Sequence, residues 1–186
     1  MNDDFITRLY TAGLLQFGRF DGVPFRHNLH MLPSYPQILH DLTEATAQLM
    51  DFSGYDHLLC PLDSLPFAMS LSQHLTIPLV YSQGSEQPPA RDLVGAYDVG
   101  HPAVLVVDAW RNAASLHNLI ADAGRVGLNV GAVVAMLDQS VEAAPVPVQA
   151  LLHLQAVTDV LVERGTLPGG QSIAVKKWLQ DDLHSK

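Results

Sequence analysis

Asp108 follows the apolar run Ala103–Val107, and Ala109, Trp110, Arg111, Asn112, Ala113, Ala114 and Ser115 follow it before a helical pattern begins. A buried strand that ends in an acid, then a short loop and a helix, is where a doubly wound α/β protein holds a phosphorylated ligand. The first N–H groups of a helix have no internal partner and face such an anion. Arg111 can pair with phosphate as a planar fork, or stand as a solvated loop charge. Trp110 can stack on a base, fill the site itself, or face a partner. Asp108 is the residue best placed for a functional role; its plainer reading is a carboxylate that caps the helix or braces the loop.

The elements that must position these residues are legible from apolar periodicity. Asp3 or Asp4 can cap a first helix through about Leu15. Phe25, His27, Leu29 and Met31 alternate, which predicts a strand over 25–31. Ser34 then caps a helix whose stripe is Ile38, Leu42, Ala45, Leu49 and Phe52, with Gly54 as its stop. A short buried strand over Asp56–Cys60 leads through a turn at Pro61–Leu65 into a helix over about Pro66–Leu75. Strands are expected at Ile77–Tyr81, Asp92–Tyr97, Ala103–Val107 and Asn129–Leu137, with an edge strand at Val148–Leu152. Helices are expected at Ser115–Val126, from Leu152 to Glu163, and over Ile173–Leu183. Ser82–Arg91 reads as a mobile polar loop and Ser140–Pro147 as a Pro-punctuated linker. Continuous apolar strands alternating with helices argue an α/β fold with a mainly parallel sheet covered on both faces. Ligands in such folds bind at strand carboxyl ends, here Pro61–Leu65, Ser82–Arg91 and Asp108–Ala114.

Composition narrows the function classes. The 186 residues are expected to form one domain with a substantial core. A formal charge of −9 disfavours nucleic acid, which needs clustered bases. The only lysines are Lys176, Lys177 and Lys186, so an anionic ligand would have to be held by arginine, backbone N–H groups or a metal. No apolar run is long enough to span a bilayer. The acidic start Met1-Asn-Asp-Asp has no signal-peptide pattern, and Cys60 alone permits no internal disulfide, so a cytoplasmic location is expected. Cys60, within an apolar run, reads as a small buried hydrophobe. His27 and His30 would face opposite sides of a strand with no third ligand nearby, so no zinc site is expected. Dinucleotide, Walker and nucleophile-elbow motifs are absent.

In order and spacing, nearly the whole chain resembles the type I phosphoribosyltransferases, and among them it is most similar to orotate phosphoribosyltransferases. Leu15–Phe20 with Asp21-Gly22 resembles that family's N-terminal strand and turn, part of a small hood expected at about residues 1–33 with part of the C-terminal region. Asp56–Ala68 resembles its pyrophosphate-loop region. Ile77–Tyr81 and the loop after it resemble its catalytic-loop hairpin. Val99–Asp108 resembles the strand entering its diphosphoribosyl-phosphate motif. Val146–Leu152 and the helix to Gly165 resemble its C-terminal part. The resemblance implies a dimer, a phosphorylated sugar or nucleotide as ligand, and Mg²⁺ if the protein is active.

The departures fall on the anion-handling residues. The family motif has two adjacent acids; Asp108 keeps the first and Ala109 replaces the second. Asn112-Ala113-Ala114-Ser115 stands where a Thr-Gly-Gly-Ser-like loop cradles the 5′-phosphate. Ala113 and Ala114 carry Cβ atoms where glycine admits a phosphate to the backbone. Leu62-Asp63-Ser64 sets a carboxylate where pyrophosphate approaches, and Ser82–Ala90 contains no Lys or Arg to cover a leaving diphosphate. Arg26 lies where the family places basic contacts to the donor, although a solvated surface arginine reads as well. Two lost charged hydrogen bonds would weaken donor binding by roughly 10²–10⁴-fold. The sequence therefore points to an orotate phosphoribosyltransferase-like protein with an eroded donor site. It would be a low-activity or non-catalytic binder of a nucleotide or phosphate ligand, or a regulatory protein. The alternative is an active transferase of ribose 5-phosphate to a pyrimidine or related base.

Overall fold

Leu58 and Cys60 pack into one hydrophobic core while Leu59, between them, packs into another. That alternation, repeated by Val104 and Val106 against Ala103, Leu105 and Val107, marks a sheet buried on both faces. The computed structural model describes residues 3–85, 88–111, 113–140 and 144–182. Its sheet runs β5-β4-β3-β6-β7-β8, with β3 at His57–Pro61, β4 at Leu79–Ser82, β5 at Leu93–Val94, β6 at Pro102–Trp110, β7 at Asn129–Asp138 and β8 at Val148–His153. All pairs are parallel except β4 with β5, and β8 lies at one edge as expected. Helices α2 (Pro36–Ala47), α3 (Leu65–Leu75), α6 (Leu154–Glu163) and α7 (Gly169–Asp182) bury residues in the first core. A short helix, α4 (Pro89–Asp92), leads into β5, and helix α5 (Ala114–Arg125) fills the second core through Leu119 and Ala123.

A separate antiparallel hairpin joins β1 (Leu15–Phe20) to β2 (Val23–His27). Its turn places Asp21 and Gly22 at φ 51° and 89°, the left-handed pair that suits a twisted two-residue hairpin loop. The hairpin packs against α1 (Asp3–Thr11) and α7.

Several boundaries differ from expectation, each for a local reason. Helix α1 stops at Thr11 because Gly13 turns at φ 72° and Leu15 enters β1. The strand expected over 25–31 ends at His27. Asn28 turns the chain there, its N–H donating to the Leu14 carbonyl at 2.8 Å and its side-chain amide to that of Gly13 at 2.9 Å. A 3₁₀ turn over Leu29–Ser34, containing Pro33, follows. Ser34 therefore does not cap α2; Tyr35 precedes it, and Pro36 opens it, where a missing N–H costs nothing. Helix α2 ends at Ala47, well before Gly54, yet Leu49 and Phe52 still reach the core. Strand β5 is two residues long because Gly95, at φ 143°, ends the ladder. Strand β6 runs three residues past Val107, so Asp108, Ala109 and Trp110 belong to the strand and not to the loop after it.

Candidate functional site

The order of the sheet reverses between β3 and β6. From β3 the chain crosses through α3 to β4 on one side; from β6 it crosses through α5 to β7 on the other. Such a switch point opens a crevice at the strand carboxyl ends. A cleft of about 510 Å³ lies there. Asp63 and Ser64 reach it from the 3₁₀ turn Leu62–Ser64 after β3, and Ser82 and Gly84 from the end of β4. Asp108 and Ala109 reach it from β6, and Ser115 and Leu116 from the first turn of α5. His27 and His30 close it from the hairpin side.

The electrostatics of this cleft are set by Asp108. It is buried, its Oδ1 has no hydrogen-bond partner among the described residues, and its backbone N–H donates to Ser64 Oγ at 2.9 Å. Burial pushes its carboxyl up to about 7, the nearby Asp63 adds to the rise, and a hydrogen bond from Ser64 opposes both. Asp63 itself is exposed at the mouth. No lysine or arginine stands among the described lining residues. His27 brings no compensating charge at neutral pH. Burial, helped by His30, holds its imidazole below the ordinary range, and its buried Nδ1 has no partner among the described residues. Burial, with a smaller contribution from Asp108, pushes the Cys60 thiol up to about 12, so it stays protonated and inert, as its apolar run suggested.

The structure thus gathers Asp63, Ser64, Asp108, Ala109 and Ser115 in one cleft and leaves the other candidates outside it. Trp110 is fully buried in the second core and borders a different recess with Asp138 and Val148. The Arg111 guanidinium lies 4.9 Å over the Trp178 ring of α7, and that of Arg26 lies 4.7 Å over Phe20 while bonding Gln16 Oε1. Leu62 points away, half-exposed. Ala113 and Ala114 form the start of α5 but do not line the cleft, and no side chain caps that helix. Asn112 lies outside the described residues.

Sequence reasoning missed two features. His27 and His30 meet at the cleft because the chain leaves β2 in a 3₁₀ turn, for which Pro33 was the one available sign. Asp92 knots the base of the loop read as mobile. Its carboxylate accepts hydrogen bonds from Ser82 Oγ, from the Ser85 N–H at 2.7 Å and from Ser85 Oγ at 2.6 Å. Burial pushes Asp92 up, but these bonds outweigh it and hold the carboxyl below the usual range. Stability from Asp92 is therefore present above the ordinary carboxylate pKa and lost as pH falls below it. Asp92→Ala is expected to cost about 2–4 kcal/mol and to speed hydrogen exchange at Gly84 and Ser85. Unchanged exchange there would show that Asp92 does not hold the loop.

A divalent cation finds poor support. Among the described residues no three His, Cys, Asp or Glu side chains stand together as a metal-binding set. Mg²⁺ on Asp63 and Asp108 would have to complete its octahedron from water and a polyphosphate, and the described lining has no base to hold that polyphosphate. The residues do not fit a magnesium–diphosphate complex.

The sequence matches no protein-family model and no curated protein. The fold has clear relatives among solved structures. UMP synthase of Leishmania donovani superposes with a TM-score of 0.85 at 20% identity, over 96% of this chain and 42% of that one. This chain therefore spans less than half of that protein. Orotate phosphoribosyltransferase of Francisella tularensis superposes with a TM-score of 0.70 at 20% identity, over 96% of this chain and 98% of that one. Adenine phosphoribosyltransferase of Thermoanaerobacter pseudethanolicus follows at 0.62 and 10% identity, over 80% and 99%. The hairpin, the sheet order and the near-complete superposition agree: this chain has the type I phosphoribosyltransferase fold.

Proposed function

We propose that this chain keeps the fold as a binding scaffold. It takes a ligand bearing a single phosphate, a nucleotide or sugar phosphate, and does not transfer phosphoribosyl groups at an ordinary enzymatic rate. The observation that carries the reading is the cleft's lining: the Asp63 carboxylate, the buried Asp108 carboxyl, and no lysine or arginine among the described residues. Two unit charges about 6 Å apart at an effective permittivity of about 20 repel by roughly 3 kcal/mol. A helix N-terminus returns only about 0.3–2 kcal/mol per anionic group. One phosphate seated by Ser115 and the first turn of α5, away from Asp63, is therefore tolerated, whereas a diphosphate beside Asp63 is not.

In this reading Ser115 and the α5 amides hold the phosphate, Asp108 meets the polar part of the ligand, and Ser64 braces Asp108. Trp110, Arg111 and Arg26 serve the scaffold. A homodimer belongs to the same proposal, supported by the exposed apolar side chains Met31, Leu62 and Met69; sedimentation as monomer alone at micromolar concentration would remove that part. No helix among the described residues is long and apolar enough to cross a membrane.

The test is an assay of orotate and phosphoribosyl diphosphate with Mg²⁺. Turnover is expected to stay below about 0.01 per second, against a typical enzymatic value of about 10 per second. Turnover at the typical rate would establish the active alternative.

A further inference from the structure

The cleft has two poles. The first turn of α5 forms one wall through Ser115 and Leu116, with no capping side chain and no acid in that turn; the Leu116 N–H donates to the Ala113 carbonyl at 3.1 Å, and the Ser115 N–H, with no partner inside the helix, is left to an anion. Asp63, from the turn after β3, and Asp108, from β6, line the same cleft and form its acidic pole. Asp108 lines the cleft though only 6% exposed, and its buried Oδ1 has no partner among the described residues. An unpaired buried acceptor is costly, and a charged donor from a ligand is the strongest partner it can gain. Neither nearby histidine is bonded to it.

We infer that the ligand of this cleft is a phosphorylated amine, whose phosphate sits at the start of α5 and whose ammonium group sits between Asp63 and Asp108. The inference rests on the single-phosphate reading above and names the ligand class for that same site. A sugar phosphate occupies well under half of 510 Å³, so both poles can be engaged by one molecule with water filling the remainder. A phosphorylated sugar with a hydroxyl in place of the amine would gain one ordinary hydrogen bond from Asp108 and none of the ion pairing. The two acids therefore discriminate by charge, while α5 takes both ligands alike.

The experiment is calorimetry in EDTA with two matched probes, glucosamine 6-phosphate and glucose 6-phosphate, on the full chain. Glucosamine 6-phosphate is expected to bind at least about tenfold more tightly. In D63N, and further in D63N with D108N, the two affinities are expected to converge, with circular dichroism confirming that each variant is folded. Equal binding of the two probes by the unaltered protein overturns the inference and leaves the single-phosphate reading standing. A preference that survives in the double variant also overturns it. Binding of neither probe at about 10 mM overturns both readings.

Discussion

Asp108→Asn is expected to raise the melting temperature at pH 8 and to leave it nearly unchanged at pH 4. The sign follows from linkage. The folded protein holds the Asp108 proton up to about pH 7, while the unfolded chain releases it near the ordinary carboxylate value of 3.8. Between these values the native state binds more protons than the unfolded state, so stability falls as pH rises through that window and levels off above it. The span is at most about 4 kcal/mol. Asparagine keeps the shape and abolishes the titration. In a chain of this size, about 2–4 °C per kcal/mol converts the difference to a shift of several degrees at pH 8. Cys60 does not contribute in this window, because its thiol is pushed up to about 12. Equal melting-temperature differences at the two pH values, or a less stable variant at pH 8, would contradict this view of the cleft.

Trp110→Ala is expected to cost about 3–5 kcal/mol, while Trp110→Phe costs far less and leaves binding of a sugar phosphate unchanged. The ring is fully buried in the second core beside His117, at a centroid separation of 6.0 Å, and pairs in register with Asp138 of β7. Removing it leaves a large cavity at the carboxyl end of β6 with no ligand to fill it. Denaturant midpoints give the stability change, and calorimetry on the Phe variant gives the binding. A loss under about 1 kcal/mol in the alanine variant, together with lost binding in the Phe variant, would restore Trp110 as a stacking platform.

The fold was legible because its evidence is local and repeated. Ile38 and Leu42 at a helical step, and the apolar runs at Leu58–Cys60 and Ala103–Val107, each declare an element without help from the others. The turn Asp21-Gly22 declares the hairpin. Asp63, Ser64, Asp108 and Ser115 could be named as neighbours because strand ends converge at a switch point. What stayed hidden depends on contacts between distant segments. Nothing near Arg111 reveals that Trp178 will draw it away from the loop, and nothing near Arg26 shows that Gln16 and Phe20 will hold it on the hairpin. His27 and His30 enter the cleft only because Asn28 is tied to Gly13 and Leu14 across the hairpin base. Trp110 looked like a loop residue because the apolar run pauses at Asp108. Its strand continues because β7 is long enough to pair with it through Asp138.

On the proposed reading, this cleft accepts one phosphate and rejects a polyanion. Calorimetry with ribose 5-phosphate and with phosphoribosyl diphosphate plus Mg²⁺, under one buffer and salt concentration, tests it directly. Ribose 5-phosphate is expected to bind at least as tightly as the diphosphate, and D63N to shift the balance toward the diphosphate by about tenfold or more. Binding of phosphoribosyl diphosphate with Mg²⁺ about a hundredfold tighter than ribose 5-phosphate in the unaltered protein would contradict the claim.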